Sequence, residues 1–145
     1  MASTADLLQD GYARIAQEVR AVLDGLSPPL LTHRIDPSAN SIAWLIWHLT
    51  RIEDDHLAGA FGTGQVWIED GWATRFALPF ADDVVGYGQL SADVALVQPS
   101  TDDLLGYFEA VHARSLDLLA QVRDADLDRV VDRTCLLYTS PSPRD

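Results

Sequence analysis

The chain has 145 residues, 48% of them hydrophobic and 22% charged, which is typical of a globular domain with one buried core. The formal net charge is −12, and because so acidic a surface repels phosphate groups, we expect no nucleic-acid partner and no membrane association. A single cysteine excludes an internal disulfide framework, and since the amino terminus lacks the basic and apolar segments of a secretory signal, we expect a cytoplasmic protein.

Apolar residues recur at intervals of three and four in three segments, which predicts long amphipathic helices near 5–24, 41–58 and 102–122. Gly25 and the following SPP end the first helix, and Ser41 or the residue before it caps the second. Ser100, with an acidic residue three positions later, resembles a capping box for the third. The apolar stripe of the first helix consists of Leu8, Tyr12, Ile15, Val19, Val22 and Leu23.

The second helix, SIAWLIWHLTRIEDDH, contains two histidines among large apolar residues. Its predicted buried stripe consists of Ile42, Leu45, Ile46, Leu49 and Ile52. Glu53 and His56 fall inside this stripe, whereas His48 lies at its border, next to Trp44. The aromatic-rich segment that follows, 61–101, is broken by Gly, Pro and Asp, and we expect it to fold over one end of the domain with one or two short helices.

Three amphipathic helices predict an all-α fold, and a four-helix bundle is the usual closed arrangement. The fourth helix should follow DADLDRVVDR, but the chain continues with TCLLYTSPSPRD, which has no helical periodicity. We therefore expect residues 1–133 to form an incomplete bundle and 134–145 to be a disordered, non-native tail that replaces the fourth helix. The alternative is a disordered native carboxyl terminus.

Three histidines lie on the predicted inner faces of two helices: His48, His56 and His112. Each could be a core histidine that is hydrogen-bonded to a neighbour, but a shared metal would satisfy several imidazoles at once. The segments EDDH and EAVH, which end at His56 and His112, have Glu-x-x-His spacing. That spacing on two helices is half of a di-metal carboxylate site. The other half needs one glutamate from each of the two remaining helices, and the first helix offers only Glu18.

The segments SIAWLIWHLTRIEDDH, QVWIEDGWATRFALPF and AVHARSLDLL resemble DinB-like proteins over residues 5 to about 133. Within this family, the sequence resembles more specifically an actinobacterial branch related to the metal-binding domain of mycothiol-dependent maleylpyruvate isomerase. It implies a four-helix bundle that holds a divalent metal, zinc, nickel or iron, on three side chains. His48 matches the ligand of the second helix, and the other two ligands would come from the fourth helix, for which this sequence has no match.

The resemblance also implies a metal-dependent thiol S-transferase or isomerase that uses a small-molecule substrate, with mycothiol as co-substrate. Trp44, Glu53, His56 and His112 would then line the pocket or support the ligand, with His56 and His112 in the core. We expect this chain, with one ligand, to bind metal weakly and to be inactive. The alternatives are a non-catalytic dimeric helical module and a di-metal carboxylate bundle.

A bundle without its fourth helix should expose several hundred Å² of apolar surface, in the range where exposed patches promote association. We therefore expect the chain to self-associate, as a homodimer through its exposed helical faces, or to behave as a loose globule. Analytical ultracentrifugation and denaturant unfolding check this expectation. A monomer with a sharp, cooperative unfolding transition would contradict it.

Overall fold

A computed structural model describes residues 1–133 and is all-α in that range. The elements in chain order are α1 (Thr4–Leu23), α2 (Pro28–Leu31), α3 (Ile42–Phe61), α4 (Val66–Glu69), α5 (Trp72–Phe76), α6 (Ser91–Val94), α7 (Thr101–Leu119) and a 3-10 turn at Asp124–Asp126. The predicted fold class and the three long helices are therefore confirmed. Within residues 1–133, no helix has the length and apolar character that a membrane span requires. The predictions for 134–145 lie outside the described residues.

The ends of the long helices follow from local side-chain chemistry. The Ser41 hydroxyl accepts the backbone N–H of Trp44 at 3.1 Å and so caps α3, and the Ser100 hydroxyl does the same for α7. Gly62, in the left-handed region at φ 67°, ends α3. The SPP segment does more than end α1, because its prolines begin the extra helix α2, where a missing N–H costs nothing.

Helix α7 packs against both α1 and α3. It is antiparallel to α1, because Gln9 near the start of α1 donates to the Leu116 carbonyl at 3.0 Å, whereas Arg20 near its end pairs with Glu109. The buried face of α7 carries Leu104, Tyr107, Phe108, Val111, His112, Ser115, Leu118 and Leu119. The three long helices thus form a bundle in which α7 contacts both of the others, and the shorter elements pack on this bundle.

The buried face of α3 differs from the predicted stripe. Leu45 is 46% exposed and His56 is exposed, so the expectation that His56 belongs to the core is wrong. The buried face carries Ala43, Trp44, Trp47, His48, Thr50, Arg51, Asp54 and Ala58. Of the predicted stripe, Ile46 is buried, and Ile42 and Leu49 pack half-buried against the core. The periodicity analysis missed the buried face because two of its members are charged and stay buried by pairing with other parts of the chain. On α1, Ile15 and Val22 are likewise exposed.

The crossover between α3 and α7 contains three short helices, one more than the upper expectation. Its aromatic residues account for its compactness, because the Trp67 ring packs against Phe76 at 5.1 Å and against Tyr107 of α7 at 5.0 Å. Trp72 also contacts Tyr107, with ring centroids 5.9 Å apart. The crossover is therefore a packed layer on α3 and α7, as its composition predicted.

A buried carboxylate joins α3, the crossover and α7. Asp54, 4% exposed, accepts the backbone N–H groups of Val66 and Trp67 at 2.9 and 2.8 Å. It also accepts the hydroxyl of Tyr107 at 2.9 Å, and burial raises the pKa of that phenol, so it remains a donor. These three bonds compensate for the loss of water around the charge.

The Tyr107→Phe substitution removes one of these bonds without changing the packed ring. Because the acceptor is a buried charge, we expect the free energy of unfolding to fall by about 1.5–3 kcal/mol. Urea denaturation measures this change, and Tyr87→Phe is the control because Tyr87 is 49% exposed. Equal stabilities of the two variants would show that the hydroxyl of Tyr107 contributes nothing to the fold.

Candidate functional site

His48 lies on the buried face of α3 and is held by the crossover. Its Nδ1 atom is 2.6 Å from the backbone carbonyl oxygen of Val85, and the imidazole is 7% exposed. Since a carbonyl only accepts, Nδ1 carries the proton, and Nε2 carries the lone pair of the neutral ring. The hydrogen bond therefore fixes both the tautomer and the direction of the second nitrogen.

Trp44, one turn earlier on α3, forms one wall of the site. Its indole stacks on the His48 imidazole with centroids 4.5 Å apart and planes at 23°. The indole N–H donates to the side-chain carbonyl of Gln89 at 2.7 Å, so the ring is held from the crossover as well. The prediction that Trp44 lies beside His48 agrees with this geometry.

Glu53 lies where the three long helices meet. The hydroxyl oxygen of Ser115 on α7 is 2.6 Å from Glu53 Oε1 and 2.9 Å from the Val111 carbonyl oxygen. The Ser115 hydroxyl is thus shared between two acceptors, and it connects the Glu53 carboxyl to α7. Burial raises the pKa of Glu53 against the opposing effect of the serine hydrogen bond. The charge of Glu53 in turn adds to burial in raising the pKa of Tyr12 on α1.

His112 is buried, as predicted, at 7% exposure, and its ring stacks nearly parallel on Phe108. Its Nδ1 atom has no hydrogen-bond partner in the part of the chain that the structure describes. Burial lowers the pKa of His112, and the nearby charge of Arg20 acts in the same direction. Both effects favour the neutral form of the ring.

The two Glu-x-x-His pairs are not brought into one site. Glu109 forms a two-pronged ion pair with Arg20, at 2.5 and 2.7 Å, and so turns toward α1. His56 is exposed and lines an open cavity with Asp55 and Asp132. Among residues 1–133, no group of three or more His, Cys, Asp or Glu side chains has the geometry to hold a metal ion.

Several residues of the site could not be identified from sequence patterns. Val85 contributes only a backbone atom, and Gln89 and Ser115 are ordinary polar residues. The one sequence signal was the pair of glycines in GYG at 86–88, which indicates a turn with special backbone angles. Gly86 and Gly88 indeed have φ values of 101° and 70°.

The raised pKa of Glu53 predicts how the stability of the fold depends on pH. Between the ordinary value of 4.5 and the higher folded-state pKa, the folded protein keeps a proton that the unfolded chain has lost. Stability from this group therefore falls as pH rises through that window. Glu53→Gln should remove the fall, so its stability relative to the unmodified protein should increase with pH. Urea unfolding at a series of pH values measures the difference, and a difference that does not change with pH would contradict the assignment.

Comparison with known proteins agrees with this architecture. A crystal structure titled as the conserved protein of locus from Enterococcus faecalis matches with a TM-score of 0.84 at 20% identity, over 93% of this chain and 80% of that one. At this identity the likeness concerns the fold alone. No curated protein matches the chain. The family model described as the DinB superfamily matches residues 12–143, nearly the whole sequence, and the chain therefore belongs to the DinB superfamily.

Proposed function

We propose that this chain is a metal-binding protein of the DinB superfamily and that its complete parent transfers or isomerises a small substrate with the help of a low-molecular-weight thiol. The observation that carries the proposal is the orientation of His48. Histidines that bind metals almost always donate their other ring N–H to a carbonyl or carboxylate. The bond from Nδ1 to Val85 has this form, and it supports a role for Nε2 as the metal ligand.

The described residues supply one metal ligand, His48, and do not supply the other ligands that such a site needs. A catalytic zinc usually has three protein ligands, and no such group forms within residues 1–133. Beyond that range the sequence offers only Cys135 and Asp145 as ligand types. We propose that the two remaining ligands belong to a fourth helix of the parent, as the resemblance implies, and that the chain as it stands binds metal weakly. When bound, a divalent metal would lower the pKa of a coordinated thiol and so supply the nucleophile.

The other residues of the site would support His48 from inside the bundle. Trp44, fully buried and fixed by Gln89, would hold the imidazole in place by stacking on it. Glu53, whose pKa is raised by burial, would place a carboxyl group at the centre of the bundle, hydrogen-bonded to Ser115. The thiol that we propose is mycothiol, and the source an actinobacterium, because a chain with ten Arg and no Lys is typical of a GC-rich genome.

A second candidate is a non-catalytic module that dimerises through α1. Leu7, Ile15 and Val22 of this helix are 72%, 45% and 43% exposed, respectively. Apolar residues that recur along one helix are a common basis for helix association. The two candidates differ in metal content, since a thiol transferase needs one equivalent and a simple dimer module needs none.

Calorimetric titration with Zn²⁺ and Ni²⁺ tests the metal site. We expect weak binding by this chain, its loss in His48→Ala, and no change in His33→Ala, because His33 is an exposed loop histidine. A parent with its fourth helix should bind one metal tightly and lose it in His48→Ala. His56→Ala should alter neither binding nor stability by more than about 0.5 kcal/mol, since His56 is exposed.

Two results would contradict this assignment. Tight binding by the chain as it stands, or tight binding that survives His48→Ala in the parent, would show that another histidine is the ligand. Two bound equivalents would favour a di-metal carboxylate site built on Glu53 and Glu109. Consumption of mycothiol by the metal-loaded parent, with an electrophilic substrate, tests the thiol step separately.

A further inference from the structure

We propose that Arg51 and Gly86 are positioning residues for His48, which act through the crossover segment 82–86, called here the clamp loop. The segment presents three backbone carbonyl groups to α3, and the side chains of Arg51 and His48 donate to all three. The inference uses the proposed metal-binding role of His48 only for its consequence. The positioning itself rests on contacts within the described residues.

The contacts of the clamp loop come from one face of α3. Arg51 donates from Nη2 to the Asp82 carbonyl at 3.1 Å and from Nε to the Val84 carbonyl at 3.3 Å. His48, three residues before Arg51, donates to the next carbonyl, that of Val85, at 2.6 Å. Because the residues at i and i+3 share a helix face, the arginine fixes the strip of backbone that the histidine uses.

The hydrogen bonds of Arg51 show that its main partners are not on its own helix. Its distance to Asp54 is 3.9 Å, too long for a hydrogen bond, and the carboxylate is already satisfied by two backbone N–H groups and Tyr107. The short contacts run to the crossover instead: to the two loop carbonyls and to Gln65 Oε1 at 2.7 Å. The guanidinium also lies on the Trp67 ring, 4.9 Å from its centroid, and is fully buried.

Gly86 allows the clamp loop to approach α3. At φ 101° its backbone conformation is one that side-chain-bearing residues rarely adopt. A Cβ atom there would lie 2.6 Å from His48 Nδ1 and 3.1 Å from both the Trp44 and Trp47 rings. A methyl group would therefore push the loop and the imidazole apart. The neighbouring Gly88 also has a positive φ, 70°, but a Cβ there would meet nothing within 4 Å.

This difference gives a matched pair of variants. Gly86→Ala and Gly88→Ala both place a side chain at a positive φ in the same stretch of the crossover, but only the first places an atom against His48. The tautomer of the neutral ring can be read directly from long-range ¹H–¹⁵N NMR correlations of His48 in the full chain at alkaline pH. We expect the Nδ1–H tautomer in the unmodified protein and in Gly88→Ala, and a shift toward the Nε2–H tautomer in Gly86→Ala.

The role of Arg51 is tested by comparing a substitution that removes its charge with one that keeps it. Arg51→Met removes the donors that hold the loop, and we expect the same tautomer shift as in Gly86→Ala. Arg51→Lys keeps one charged donor group, and we expect it to restore part of the Nδ1–H population. If Arg51→Met does not fold, Arg51→Lys still tests Arg51, because it should lower the Nδ1–H population below that of the unmodified protein. A general packing role for Arg51 would change stability in both variants without a graded effect on the tautomer.

Zn²⁺ titration, followed on the same His48 signals, separates this inference from the proposed function. We expect Gly86→Ala to weaken binding by about 10–100-fold, the range found when a hydrogen bond to a ligating histidine is lost. A tautomer shift without any zinc response in the unmodified protein would uphold the positioning and refute the metal role. An unchanged tautomer in Gly86→Ala, or an equal shift in Gly88→Ala, would overturn the positioning.

Discussion

The buried guanidinium of Arg51 is the constraint on which the packing of the crossover depends. A charge with no exposure to water is stable only if its donors are satisfied inside the protein, since an uncompensated buried charge costs several kcal/mol. The acceptors come from two separate parts of the crossover, Gln65 at its beginning and the Asp82 and Val84 carbonyls near its middle. The segment between them must therefore fold back onto α3. The aromatic layer around Trp67 fills the space that this return encloses.

Asp54 gives the same region its second connection. It accepts the first backbone N–H groups of α4 and the hydroxyl of Tyr107, so one carboxylate links α3, the crossover and α7. Asp54 therefore binds only the start of the crossover, whereas Arg51 binds both its start, at Gln65, and its middle, at the Asp82 and Val84 carbonyls. Buried ion pairs contribute little net stability compared with apolar residues, but their directional bonds select one arrangement of the chain.

The three long helices could be predicted from the sequence because apolar spacing and the capping serines Ser41 and Ser100 are local signals. The buried face of α3 could not, because periodicity treats Arg51 and Asp54 as surface residues and so selected the face of Leu45 and His56. His48 was identified by resemblance and not by periodicity. Its partner in the structure is a backbone carbonyl 37 residues away, and no side-chain pattern encodes such a contact. Glu53 was predicted as a pocket residue, but its serine partner on α7 was not.

The distance along the chain between His48 and Val85 has a consequence for the order of folding. Helix α3 can form from local interactions, but the imidazole acquires its direction only after a loop of 37 residues has closed. The site is therefore a product of tertiary assembly, and an opening of the crossover that breaks the contact with Val85 releases His48. In terms of amide hydrogen exchange, the orientation of His48 has the lifetime of the crossover and not that of the helix that carries it.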